Sequence, residues 1–212
     1  DASIASDLSA LRDLGLDHIR AHVLWPVFQP NEGYVSPGPM DRLGRLLDLC
    51  QERRLDVCVS VLDGWLSGFA FYPAWLEGRN PFTDRAAIDA QGRLLFEIGE
   101  RFGGHPAFWG LDLGNEPNVL IARNYPQTTI EEADAWQREL LAVCEQAAPG
   151  KFHVNGIDHW PWLSSRGFSR QACAKLGSAS IVHAYIYFTN AVQIAEPTDV
   201  ECTGLTGYLI EL

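Results

Sequence analysis

Asn115-Glu116-Pro117 sets a carboxylate beside an amide at the end of an apolar run, Ala107 to Gly114. That run reads as a central strand, and Pro117, which has no N–H to give a sheet ladder, stops it there. A carboxyl group and an amide are thereby fixed at the carboxyl end of a stiff strand. In parallel α/β folds that is the edge where chemistry is assembled. Arg20 lies inside another strand-like run, His18 to Trp25. A guanidinium buried there needs a carboxylate partner; at a strand end it could instead reach solvent. His22 stands two residues on, on the same face. His183 and Tyr185 are also two apart on one predicted strand, so they face one side together, as site residues or as a core pair. Asp63 closes a third strand.

The elements that must hold these groups alternate. Ile4, Leu8, Leu11 and Leu14 mark a helix face with Gly15 as its stop. Leu43, Leu46, Leu47 and Cys50 mark a second helix, followed by the β-branched strand Leu55 to Leu62. A long loop with Gly64, Gly68, Pro73, Gly78 and Pro81 leads to a helix over Asp84 to Phe102. After the strand carrying Glu116, Thr129 is a helix N-cap with Glu131 and Glu132 in the first turn. The helix runs along Ala133, Trp136, Leu140, Cys144 and Ala147 and ends at Pro149-Gly150. Phe152 to Asn155 is a short strand, Ser169 to Leu176 a short helix, and Ser180 to Phe188 a further strand. Thr203 to Leu212 reads as the start of another helix.

Strands each followed by a helix predict parallel βα units, whose strands, covered on both faces, are nearly continuously apolar. A doubly wound open sheet and a (β/α)8 barrel both fit. No Gly-rich phosphate loop follows any strand, which weakens a nucleotide-binding doubly wound sheet. Long aromatic-rich loops after several strands favour the barrel. Five strands are countable where a barrel has eight. The expectation is therefore a TIM barrel that is incomplete: strands 2 to 6 present, strands 1, 7 and 8 missing, with residues 1–212 forming one partial catalytic domain.

The chain has 212 residues, 47% hydrophobic and 20% charged, with a net charge of -11. That is a globular balance with a sizeable core. No basic stripe is visible, which argues against nucleic acid and against anionic membrane surfaces. No run approaches the roughly eighteen apolar residues of a membrane span. Cysteines at 50, 58, 144, 173 and 202 are odd in number and form no CxxC, so buried free thiols are predicted rather than a disulfide framework. His153, His159 and His183 lack any metal-ligand spacing, so neither a metal nor a cofactor is expected. No G-x-S-x-G elbow appears. Compartment and oligomeric state are not legible.

Several segments, in order, resemble the retaining glycoside hydrolases of family 5 and their (β/α)8 relatives. They are Leu14 to Arg20 continuing to Trp25, Trp65-Leu66-Ser67-Gly68, Pro73-Ala74-Trp75, Gly78-Arg79-Asn80, Leu111 to Asn118, and His183-Ala184-Tyr185. The resemblance spans nearly the whole chain and leans toward mannosidase-type branches over cellulase-type ones. It implies a hydrolase acting on β-linked gluco- or manno-configured saccharides by double displacement. It assigns Glu116 as general acid/base, a carboxyl that protonates the leaving oxygen and later deprotonates water. A dry setting with apolar neighbours such as Trp109 would suit that role.

The same resemblance implies that Asn115 bonds the sugar 2-hydroxyl, that Arg20 orients the nucleophile, and that His183 and Tyr185 line the site beside it. Asp63 stands where many members have His, which leaves it a possible sugar-hydroxyl acceptor. Seven tryptophans are many for this length, and loop indoles suit the C–H faces of sugar rings. Trp65 and one of Trp160 and Trp162 are candidate subsite walls. The second carboxylate that a retaining mechanism needs is expected beyond Leu212, since neither Glu196, Glu201 nor Glu211 has a strand context. The 212 residues alone are therefore expected to be inactive. A barrel that binds carbohydrate or a protein partner without turnover is the rival reading.

Overall fold

The computed structural model describes residues 2–164 and 166–184. The first half runs α1 (Ala2–Asp13), β1 (His18–His22), α2 (Trp25–Phe28), α3 (Pro37–Glu52), β2 (Asp56–Ser60) and the short hairpin β3 (Trp65–Leu66) and β4 (Phe69–Ala70). Then come α4 (Arg85–Phe102), β5 (Phe108–Asn115), α5 (Pro117–Asn124), α6 (Ile130–Ala147), β6 (Val154–Gly156), α7 (Trp160–Ser164) and α8 (Arg170–Lys175). The sheet is β1-β2-β5-β6, and every pairing in it is parallel. Among the described strands chain order and spatial order agree, with none of the reversal that defines a doubly wound fold.

Local chemistry accounts for the boundaries. Asp84 caps α4 by accepting from the Ala87 N–H. Thr129 and Glu132 form a reciprocal capping box at α6, which satisfies two otherwise orphaned donors. Pro117 does more than end β5: it is the first residue of α5, where its missing N–H costs nothing and its fixed φ suits the helix. The sequence pattern missed that eight-residue helix. It also missed the β3–β4 hairpin, whose turn at Ser67 and Gly68 has positive φ at both residues, as a tight hairpin of this kind demands.

The outer face of the sheet packs Val57, Val59, Leu111 and Leu113 against α4 and α6 through Leu94, Leu95, Ile98, Leu140 and Cys144, all fully or almost fully buried. At Gly110 a Cβ would come within 1.7 Å of the Phe152 carbonyl oxygen, so only glycine lets the chain entering β6 pass this close. Cys50, Cys58, Cys144 and Cys173 are free and buried. Burial pushes Cys50 up to about 11 and Cys58 and Cys173 up to about 12, so they remain thiols. Cys202 lies outside the described residues.

Several expectations need correction. The strand over His18 to Trp25 ends at His22, because Pro26 starts a helix in Trp25–Phe28. The strand expected at Phe152 to Asn155 sits at Val154–Gly156. Trp160 and Trp162 belong to α7, not to a loop. Trp109 is no neighbour of Glu116: it lies at the other end of β5, stacked on Phe152 at 4.2 Å and beside His18. Of the strand predicted over Ser180 to Phe188, the described part shows one parallel bridge, His183 to Asp158; residues 185–188 lie outside it. So does the helix predicted over Thr203 to Leu212. Among the described residues no helix is long and apolar enough to cross a membrane.

Candidate active site

Glu116 occupies the single step between β5 and α5, in the left-handed conformation with φ 49 and ψ 53. That is costly for a residue with a Cβ, about 1–3 kcal/mol, and persists only where neighbours hold it. Here the Glu116 N–H donates to the Gly156 carbonyl at 2.6 Å, while its own carbonyl accepts from Val119 at 2.9 Å. The turn swings the side chain into the sheet's carboxyl end, where 11% of it stays exposed. His183 Nδ1 lies 3.0 Å from Glu116 Oε1. Whether Nδ1 donates or accepts in this contact depends on the tautomer of the imidazole.

Asn115 is fixed on three sides. Its Oδ1 accepts from Arg20 Nη1 at 3.1 Å, its Nδ2 donates to the Trp65 carbonyl at 3.1 Å, and its backbone N–H donates to Asp63 Oδ1 at 2.8 Å. One amide hydrogen and one lone pair remain for a ligand. Strand alternation would put Asn115 and Asp112 on opposite faces. The register shift between them, where Asp112 pairs with Val154 and Asn115 with Gly156, turns both toward Arg20, as a bulge does.

Arg20 finds the carboxylate that its position demanded, and it is Asp112, which sequence reasoning did not nominate. Nε donates to Asp112 Oδ2 at 2.6 Å, and Nη2 contacts the same oxygen. Nη2 also reaches Ser60 Oγ at 3.2 Å. Asp112 is 1% exposed and takes N–H donors from Gly156 at 2.8 Å and Gly114 at 3.2 Å. Burial raises its pKa, while the Arg20 charge and the N–H groups work against that. The signal that could have found it was a lone acidic residue in an apolar strand two places along the sheet from Arg20.

Asp63 is corrected as a sugar contact. It is 1% exposed; one oxygen accepts from Ser60 Oγ at 2.7 Å and from the Asn115 N–H, and the other faces His22 Nδ1 at 2.8 Å. It braces Asn115 from below and offers a sugar hydroxyl no free side. His22 thereby joins the cluster, also 3.5 Å from Arg20 Nη1.

Trp65 borders Asn115 through its backbone, and its ring lies under the Arg123 guanidinium at 4.4 Å. Trp160 is 37% exposed and carries Arg166 over its ring at 4.9 Å. Trp162 is corrected as a subsite wall: at 8% exposed it belongs to the core. Tyr185 lies outside the described residues. His153 is committed to Leu111 N–H and the Ala148 carbonyl, and among the described residues no three metal-ligating side chains cluster. Unforeseen too was the buried pair of Asn118, two residues past Glu116, and Asp158, on the chain leaving β6. A cleft of about 550 Å³ at the far end of α5, with Tyr72, Arg79, Asn80 and Tyr125 on its walls, is separate from all these groups.

No protein-family profile matches the chain, and no curated protein does. Solved structures do. A GH5_18 variant from Streptomyces cattleya in complex with Manβ1-4GlcNAc is 33% identical with a TM-score of 0.94, over 100% of this chain and 52% of that one. A GH5_18 from Bifidobacterium longum subsp. infantis is 31% identical with a TM-score of 0.88, over 95% and 49%. The exo-beta-1,4-mannosidase Op5Man5 from Opitutaceae bacterium strain TAV5 is 31% identical with a TM-score of 0.73, over 80% and 30%. The chain thus spans about half the length of the first of these.

Proposed function

Because the chain belongs to glycoside hydrolase family 5, on its mannosidase-type side, we propose that residues 1–212 form part of the (β/α)8 catalytic barrel of a retaining β-mannoside hydrolase. The four parallel strands in unreversed order support strands 2 to 5 of such a barrel, with the His183 segment leading into the sixth. The observation that carries the reading is Glu116: a nearly buried carboxyl, strained at a strand end, within hydrogen-bond distance of an imidazole and beside a braced amide.

In this reading Glu116 protonates the glycosidic oxygen as the bond to the anomeric carbon breaks, then takes a proton from the water that releases the sugar. Asn115 gives its remaining N–H to the 2-hydroxyl, a contact that tightens in the transition state. Arg20, charge-balanced by Asp112, keeps Asn115 in place and holds the nucleophile ionised. That nucleophile is a second carboxylate about 5–5.5 Å from Glu116, supplied from outside these 212 residues. The substrate is a β-linked saccharide with mannose at the cleaved end; Manβ1-4GlcNAc, seen in the Streptomyces cattleya complex, is the first candidate.

The test uses the protein that carries this chain, assayed on aryl β-mannosides, aryl β-glucosides and Manβ1-4GlcNAc. Turnover of the mannosides is expected, with kcat/KM on Manβ1-4GlcNAc, whose leaving group is basic, falling by roughly 10²–10⁴-fold in Glu116→Gln. The 212-residue chain alone is expected to turn over none of them. Equal rates on the disaccharide in wild type and Glu116→Gln remove the assignment.

A further inference from the structure

We propose that Asp158 is a positioning residue for Glu116, acting through Asn118 and through the strand segment that carries His183. The inference rests on the acid/base reading of Glu116 and extends it. Asn118 stands two residues after Glu116, in the first turn of α5. Its Nδ2 donates to Asp158 Oδ1 at 2.6 Å, and the Asp158 N–H donates back to Asn118 Oδ1 at 3.2 Å. This two-bond clamp ties the start of α5 to the chain leaving β6. Next to it, the Glu116 N–H is held by Gly156 and the His183 N–H by Ile157 at 2.9 Å, and Asp158 itself bridges His183. The imidazole closes the ring on Glu116 at 3.0 Å.

Both the acid/base carboxyl and its imidazole partner therefore hang from residues 156–158. A left-handed Glu at the head of a helix relaxes unless its surroundings over-determine it, and the clamp is what fixes the first turn. Asn118 and Asp158 are both buried, so water does not compete for their bonds. Asp158 Oδ1 also accepts from the Trp160 N–H at 2.8 Å, which anchors α7 and offers a purely structural role that the test must separate.

Acid assistance matters for a basic leaving group and hardly at all for an activated phenol, so misplacement of the acid has a signature that loss of fold lacks. In the protein that carries this chain, kcat/KM is measured on Manβ1-4GlcNAc and on 2,4-dinitrophenyl β-mannoside. Asp158→Asn is expected to lose roughly 10- to 100-fold on the disaccharide through kcat, with KM unchanged and the dinitrophenyl glycoside close to wild type. The exchange pair Asn118→Asp with Asp158→Asn rebuilds an amide–carboxylate clamp and is expected to recover most of the loss. Equal losses on both substrates, or no recovery in the exchange pair, overturn the proposal. If Asp158→Asn does not fold, Asn118→Ala reads the same split. Glu116→Ala is the control: if it loses equally on both substrates the acid/base reading itself fails, whereas a split there without one in Asp158→Asn removes only the positioning role.

Discussion

Both oxygens of Asp112 are committed, Oδ2 to the Arg20 guanidinium and Oδ1 to the N–H groups of Gly114 and Gly156. The pair links β1 to β5 across β2, directly behind the Asn115 amide. Removing one partner strands the other charge, which costs about 3 kcal/mol or more when the site is buried. Asp112→Ala is therefore expected to lose about 3 kcal/mol in urea unfolding. Asp112→Asn, which keeps the volume and one acceptor, should lose less stability but a large part of kcat, because Arg20 then drifts from Asn115. An Asp112→Ala variant as stable as wild type would show that the pair contributes nothing.

Glu116 sits where glycine would be more comfortable. Its φ of 49 costs a side chain about 1 kcal/mol or more that glycine avoids. Glu116→Gly is thus expected to be more stable than Glu116→Ala by about 1 kcal/mol, a melting difference of roughly 2–4 °C at this size, with neither variant active on an unactivated glycoside. Thermal scans of the two side by side decide it. A Glu116→Ala variant more stable than the glycine one would mean that the turn is relaxed.

Trp160 and Trp162 are two residues apart on one short helix and have opposite fates. Trp162 is in the core, so Trp162→Ala is expected to cost about 3–5 kcal/mol. Trp160 keeps an exposed face beside Arg166. Trp160→Ala is expected to leave the melting temperature within a degree or two and to raise KM for a saccharide several-fold, the scale of one stacking contact. Matching losses of stability in both variants would remove Trp160 from the subsite.

Much of this architecture was readable because it rests on local chemistry. The N-cap at Thr129, the helix start at Asp84 and the strand end at Pro117 are short-range signals, and each structural counterpart falls within a residue or so of its expected place. Arg20 announced its need for a carboxylate because a charge inside a strand covered on both faces must be paired unless it reaches solvent. What stayed hidden depends on register between strands. Asp112 and Asn115 converge only through the bulge against β6, and Asn118 meets Asp158 across forty residues of sequence. Trp162 misled because an indole in a polar, proline-bearing stretch looks like a loop residue until α7 folds it inward. The hairpin at Trp65 was masked by its two-residue strands, too short to show alternation.

Asp84 carries an acid-stability prediction whose sign follows from its partners. The Arg79 guanidinium, 2.6 Å away, and the Ala87 N–H at the head of α4 hold its carboxyl down to about 2, against an ordinary 3.8. A depressed folded-state pKa stabilises the fold above the unfolded value, and that contribution fades as pH falls from near 4 through about 2. Asp84→Asn retains a capping oxygen for Ala87 but cannot pair with Arg79. Wild type is therefore expected to melt above Asp84→Asn at pH 6, with the gap narrowing steadily below pH 4 and nearly closed by pH 2. Carboxylates remote from Arg79 titrate in both proteins and drop out of the difference; Glu32, which also pairs with Arg79 at 3.2 Å, does not, so the comparison is repeated in a Glu32→Gln background. Circular-dichroism melts of the two at pH 6, 4, 3 and 2 read that gap directly. A gap that stays constant across the series would show that the charge on Asp84 adds nothing beyond its cap.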